Sequence, residues 1–483
     1  MGLGKQRQGR PSRPPRSFVR RLADASIRVG AVLLLAPMLA YCGLLLFWQQ
    51  AWPSPWHGRD YLAAVGDDAR ADEAAVGQRL GGDYPPTGLW HLRSVRAQQA
   101  WAALERRERH PVRVGLWDGV IDPTHPDLAL GLVAAQGEDD GRYAARWLMG
   151  DGHGTALWGV IAGRGLPGMT GVSPTAQMLV TGTHTDRRDQ SVGASLSWFA
   201  KQGVRVANYS IAAPAPVVTQ REVDDAYAAG VLLVTGLPNS NSDASAHPAA
   251  MRGTLAVSGV NQHDEPAGHG WGPLLDVTAL ASWPLSTAPR LWLGPLQIGG
   301  PYRATCCNSV AVAVTTGVAS LVASADPTLT SAQIEKRLKL SARKPMGMEG
   351  ARWHPRYGYG VVDAYAAVTY DTTGPAIAQV SAERAGDAVL LRGGVIDETN
   401  DDRLLAGRER DRHLLGVPVS NIARVEARLD DGPWVPATLN APAEPPGPHA
   451  RRFDARLSGS GPVWLRAWDT AGNVGPEVRV EGP

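Results

Sequence analysis

Between Val112 and Thr235 short apolar runs alternate with stretches of helical periodicity. No other feature restricts the fold so strongly. Val112–Trp117, Gln177–Thr181, Val204–Ser210 and Val231–Thr235 read as strands. Thr155–Ala162, Ser191–Gln202 and Glu222–Ala229 read as the helices between them. Strands and helices in this rhythm predict an α/β fold, a parallel sheet covered by helices on its faces. Upstream, Leu92, Val95, Ala100, Trp101 and Leu104 recur at helical spacing. Downstream, Val310–Ala323 and a stretch starting at Ser331 read as helices, and the run beginning Tyr357-Gly-Tyr-Gly closes the unit.

The flanks differ in kind. Residues 1–28 carry a net charge of +7, which leaves −5 on the remainder of a chain whose total is +2. A mildly acidic body argues against nucleic-acid binding, which needs a basic face. Val29–Trp48 carries no charge, and about 20 apolar residues suffice for a membrane-crossing helix. Residues 29–48 are therefore expected to anchor the chain, with the basic tail 1–28 in the cytoplasm and everything after it outside. A cleaved signal and a secreted protein is the alternative; the residues that follow, Gln49-Gln-Ala-Trp-Pro-Ser-Pro-Trp, offer a poor cleavage site. Residues 49–87, rich in Pro, Gly, Asp and Ala, read as a linker, and 88–371 as the α/β unit. From 372 to 483 short alternating runs separated by turn residues predict a small β-sandwich. Three cysteines make no disulfide framework. Cys306 and Cys307 are adjacent, a poor fit to ordinary bridge geometry, so two free buried thiols are expected there, with a strained disulfide between the neighbours as the alternative.

Four residues sit where acyl-transfer chemistry needs them. Asp118 ends an apolar strand, the end of a parallel strand that faces the ligand crevice. His153 lies between glycines at a helix start, which frees an imidazole to act as a base. Ser309 precedes the helix Val310–Ala323, where backbone donors and the helix dipole favour a developing anion. Asn239 follows the strand ending at Thr235 and offers a side-chain amide to an oxyanion. Singly, each also reads as an ordinary turn Asp, helix-start His, N-cap Ser or loop Asn. Their order along the chain, Asp then His then Ser, is that of one of the unrelated serine triads.

From about Trp90 to Val368 these motifs resemble the subtilisin-like (subtilase, S8-type) peptidases. Asp118 followed by His125-Pro-Asp-Leu is similar to the family's Asp motif. His153-Gly-Thr-Ala-Leu-Trp-Gly-Val-Ile-Ala-Gly is similar to its His motif, and Ala207-Asn-Tyr-Ser-Ile-Ala-Ala to its substrate-binding strand. The resemblance implies a serine endopeptidase that uses no cofactor and acts on polypeptides. Asp118, His153 and Ser309 would be its triad, Asn239 its oxyanion donor, and Ser210, Ile211, Ala212, Gly236 and Leu237 its substrate-binding residues. It also implies an Ig-like or fibronectin-III-like module for 372–483, on the segment Trp464-Leu-Arg-Ala-Trp-Asp-Thr-Ala-Gly-Asn.

The sequence departs from the family at four places. Gly119 comes first after the Asp, where a small residue and then Gly are usual. Pro238 stands in place of Gly before Asn239. Cys307-Asn308-Ser309-Val310-Ala311 replaces Gly-Thr-Ser-Met-Ala, and Ala313 the Pro soon after. Ala212 and Leu237-Pro238 stand where smaller residues line S1, which predicts a preference for a small P1 residue. The loop 164–170 has no carboxylate or Asn beside Asp127, so no calcium is expected there. Only 49–87 is available for a folding prodomain, short for a packed core. A membrane-tethered, inactive peptide- or partner-binding scaffold is the alternative function, favoured by the altered surroundings of Ser309.

Overall fold

The computed structural model describes residues 89–105, 110–119, 121–123, 125–136, 152–165, 169–182, 191–211, 216–243, 246–289, 291–293, 296–298, 302–397, 402–440 and 450–481. The basic tail 1–28, the apolar run 29–48, the linker 49–87 and Ala212 lie outside them.

Seven parallel strands form the central sheet: β1 (Arg113–Asp118), β2 (Leu132–Gln136), β3 (Gln177–Gly182), β4 (Val204–Tyr209), β5 (Leu232–Gly236), β6 (Thr254–Val260) and β7 (Val277–Leu280). Their order is β2-β3-β1-β4-β5-β6-β7. From β1 the chain goes to β2 at the edge, returns to place β3 between them, then crosses over to lay down β4 to β7 on the other side of β1. The strand order thus reverses between β1 and β4, and a crevice opens beyond the carboxyl ends of strands at such a point. Strands covered on both faces are apolar throughout; every residue of β5 and β6 is buried. β2, β6 and β7 are additions to the strands expected from sequence.

One helical run was expected around Leu92–Leu104; two helices form, Trp90–Ser94 and Ala97–Glu105. The break falls at Arg96, which takes a left-handed φ of 54° while its guanidinium reaches Asp363. Behind the sheet runs the helix Asn308–Ala325, buried from Asn308 to Ser324. Its alanines, valines and glycine let it approach the sheet closely. It is the one helix among the described residues long and apolar enough to cross a membrane, and its burial makes it core. Past β7, short antiparallel pairs join β8 (Leu285–Thr287) to β11 (Tyr302–Ala304), and β9 (Leu291–Leu293) to β10 (Leu296–Ile298).

The C-terminal part is built mainly of two antiparallel sheets. One sheet has the order β12-β13-β17-β16 and the other β15-β14-β18-β19. Their strands are β12 (Ala376–Ala385), β13 (Ala388–Ile396), β14 (Ile422–Leu429), β15 (Val435–Pro436), β16 (Thr438–Leu439), β17 (Ala450–Ser458), β18 (Val463–Asp469) and β19 (Val478–Val480). Val389, Leu391 and Phe453 of the first sheet share a core with Val425, Ala427 and Leu465 of the second.

Three buried carboxylates, Asp371, Asp397 and Asp469, come within 4.8 Å of one another at the base of this part. Sequence order conceals the grouping. The Ser420 hydroxyl bonds both Asp371 and Asp397. Burial pushes the Asp469 carboxyl up to about 6, two bonds from Asn473 oppose the rise, and the Asp371 and Asp397 charges add to it.

The segment between β13 and β14 folds back over the α/β unit. Its 3-10 turn Glu409–Leu414 covers the helix Ser331–Leu340. Arg410 Nη2 reaches Asp276 at 3.0 Å. Lys339, fully buried, lies 2.6 Å from Glu335, 2.7 Å from Asp411 and 3.1 Å from Asp276. His413 Nε2 lies 3.1 Å from Glu335, and the Tyr227 and Tyr359 hydroxyls donate to Glu335 and Asp411. The boundary drawn at 371/372 is thus crossed by a strap whose charges complete the core of the preceding unit.

Candidate active site

Asp118 is the last residue of β1, at the reversal point, and is 1% exposed. His153 begins the helix His153–Ala162. The sequence around it is dictated by space. Gly152 caps the helix at φ 67°, ψ 30°, a left-handed geometry that glycine adopts without the Cβ clash. At Gly154 an added Cβ would lie 2.2 Å from the Gly119 carbonyl oxygen and 3.1 Å from Asp118 Cβ. The missing side chain brings the helix start against the end of β1. Thr155 then accepts the Asp122 N–H at 2.8 Å and ties the loop after Asp118 to the same turn.

The result is a 2.7 Å contact between His153 Nδ1 and Asp118 Oδ1, with the imidazole partly exposed and the carboxylate buried. Asp118 Oδ1 also accepts the Gly119 N–H at 2.6 Å. A carboxylate only accepts, so Nδ1 carries the proton. Burial, with the Asp118 charge adding to it, raises the nearby Tyr209 hydroxyl to about 12. Gly154→Ala is expected to part Asp118 from His153 and lower kcat/KM on the order of 10²-fold, the scale for about 1 Å of misplacement. Steady-state kinetics alongside a thermal melt checks this, and unchanged kinetics would contradict it.

Ser309 stands in the first turn of the helix Asn308–Ala325, 8% exposed. Its hydroxyl donates to the Ser210 carbonyl at 3.1 Å rather than to the imidazole. Asn208 Nδ2 donates to Ser210 Oγ at 2.9 Å and Oδ1 accepts from Thr316 Oγ1 at 3.0 Å, which ties the end of β4 to the helix. Asn239 is brought to the same turn: its Oδ1 accepts the Asn308 N–H at 2.9 Å. With the acceptor end engaged, the amide NH2 is the end left to turn elsewhere. Asn308 Nδ2 donates to the carbonyls of Leu237, at 2.6 Å, and Val257, at 2.9 Å. Sequence reading treated Asn308 only as a departure from a motif, and it missed Asn208 and Thr316. A side-chain amide directly before Ser309 was the available signal.

The cysteine expectation is overturned. Cys306 and Cys307 are bonded to each other, and both are half-buried rather than buried. Their backbone follows β11, in a turn that already brings the two residues together. Ser210, Ile211 and Gly236 lie at the carboxyl ends of β4 and β5. Leu237 lies there too, but its side chain packs with Ala249, Ala256 and Leu275 in a small core. Asp127 Oδ2 accepts the Met169 N–H at 3.1 Å and the Tyr302 hydroxyl at 2.8 Å.

A parallel sheet with this strand reversal, a carboxylate–imidazole pair at β1 and a serine heading a buried helix define a class of hydrolytic scaffold. The family model described as the subtilase family matches residues 109–360, and the chain belongs to that family. Subtilisin Savinase from Lederbergia lenta is 31% identical over 264 residues, which is 53% of this chain and 90% of that protein. The M-protease of Shouchella clausii (strain KSM-K16) is 31% identical over 264 residues, and the match spans 64% of its length. Among solved structures, the psychrophilic subtilisin-like protease Apa1 of Pseudoalteromonas sp. AS-11 aligns with a TM-score of 0.48 at 15% identity, covering 58% of this chain and 97% of that one.

Proposed function

We propose that the protein is a serine endopeptidase whose triad is Asp118, His153 and Ser309. The observation that carries this reading is the 2.7 Å contact between His153 Nδ1 and the buried Asp118 carboxylate, in a chain of the subtilase family. Asp118 holds the imidazole tautomer, and His153 Nε2 takes the Ser309 proton as the hydroxyl turns from the Ser210 carbonyl. Ser309 Oγ attacks the peptide carbonyl, and His153 returns the proton to the leaving amine. The oxyanion is met by the Asn239 amide and the Ser309 N–H, one of the unpaired donors of a helix first turn. The substrate backbone runs along Ser210–Ile211 and Gly236–Leu237.

A small P1 residue is favoured, on Ala212 and Pro238; Leu237, turned into the core, adds nothing to that narrowing. A peptide panel is expected to show cleavage after Ala or Gly above Phe or Leu, and the reverse order would overturn it. Residues 29–48 anchor the chain with the peptidase outside the cytoplasm. The two C-terminal sheets form an Ig-like module.

The function is tested with a fluorophosphonate probe on wild type and Ser309→Ala. Labelling of wild type alone is the expected result. No labelling of a folded wild type would favour a binding scaffold instead.

A further inference from the structure

We propose that the Cys306–Cys307 disulfide is a site of reversible reduction by a dithiol, and that its oxidised form positions the Ser309 turn. The activity arm of this proposal rests on the peptidase reading above.

Cys307 takes φ 77° and ψ −176°, directly before the helix that carries Ser309. A side chain there is disfavoured by about 1–3 kcal/mol unless its surroundings hold it. Its N–H donates to the Ala281 carbonyl at 2.9 Å and its carbonyl accepts the Val310 N–H at 3.0 Å. The next residue, Asn308, holds Asn239 through its N–H, and through its amide the carbonyls of Leu237, just past β5, and Val257, within β6. Whatever fixes Cys307 therefore fixes the nucleophile and the oxyanion donor together.

The bond between the neighbours closes a small ring containing their shared peptide. The ring removes the backbone freedom that a lone cysteine would use to leave the left-handed region. Both residues are half-buried, not enclosed in the core.

Reduction proceeds by exchange. A reductant thiolate attacks one protein sulfur, the S–S bond breaks, and the other leaves as a thiolate. The second reductant thiol then displaces the first protein sulfur. The reductant ends as a cyclic disulfide, and the protein gains two electrons and two protons as two thiols. Freed of the ring, Cys307 relaxes toward negative φ, and Asn308 and Ser309 move with it.

The full-length protein is treated with dithiothreitol, alkylated, and weighed to count thiols. Fluorophosphonate labelling of Ser309, kcat and KM are measured on the same samples. Untreated protein is expected to show Cys42 as the one alkylatable thiol. Full reduction is expected to slow labelling on the order of 10²-fold, to act on kcat more than KM, and to reverse on reoxidation. In Cys307→Gly the labelling rate should be the same with and without reductant, because glycine holds this φ unaided. Cys307→Ala should label more slowly than Cys307→Gly in both conditions. Three free thiols before treatment, an unchanged rate after mass-verified reduction, or equal rates for the Gly and Ala variants would each overturn the proposal. If no form labels, oxidised wild type included, the peptidase reading fails instead.

Discussion

Ser309→Ala is expected to lower kcat roughly 10⁶-fold while leaving the protein folded. The magnitude is borrowed from subtilisin, a relative, where removing the serine or the histidine alone costs about as much as removing the whole triad. The stability side follows from the local bonds. The Ser309 hydroxyl makes one bond, to the Ser210 carbonyl, worth about 1 kcal/mol net. Asn308 and Asn239 keep their bonds without it, so the turn and the helix persist. Steady-state kinetics on a peptide substrate and a urea titration on the same sample check both halves. Substantial residual hydrolysis by the variant would remove Ser309 from the nucleophile's role. Loss of cooperative unfolding would show that the hydroxyl is structural.

Lys339→Met, made in the Ser309→Ala background to prevent self-digestion, is expected to destabilise the protein by about 3–5 kcal/mol. That is the usual cost of removing one partner from a buried ion pair. Lys339 is 0% exposed and touches Asp276, Glu335 and Asp411. Without it three buried carboxylates face Arg408, Arg410 and His413 alone. The pH dependence carries the same signature. Burial pushes the Glu335 carboxyl up, but Lys339 and His413 more than offset it and hold the group at about 2, below its ordinary 4.5. A depressed carboxylate contributes stability that is present above 4.5 and lost as pH falls through about 2. The Asp276 carboxyl is likewise lowered, burial being outweighed by Arg410, Lys339 and Arg408. Wild type should therefore weaken over that acidic window, and Lys339→Met should weaken less steeply there. Urea midpoints between pH 2 and 7 measure this; parallel curves for the two proteins would contradict it.

The buried charges also show where sequence reading stops. The strand–helix rhythm from Val112 to Thr235 was legible because it records two local periods. The glycines around His153 were legible because close approach forbids a side chain. Ser331–Leu340 is different. Charged side chains are almost never fully buried unless paired, yet its Glu335, Lys336, Arg337 and Lys339 are all buried. The partners that permit this, Asp402, Val417, Val419, Asp411 and His413, lie far along the chain, where no local period reports them. Leu237 was misleading for a related reason: position beside a site does not say which way a side chain turns. The adjacent cysteines looked ill-suited to bonding because bridge geometry is tabulated for residues brought together by folding. Here the left-handed Cys307 turn accommodates the ring.

The strap has a consequence for how the protein is made. Synthesis runs from the N-terminus, so Asp276, Glu335 and Lys339 leave the ribosome before Arg408, Arg410, Asp411 and His413 exist to neutralise and cover them. Asp276 also accepts the Ala256 N–H of β6, and the carbonyl of the next residue, Val257, accepts from the Asn308 amide. The floor beneath Ser309 is thus completed only when residues well beyond the family's own boundary at 360 have been translated.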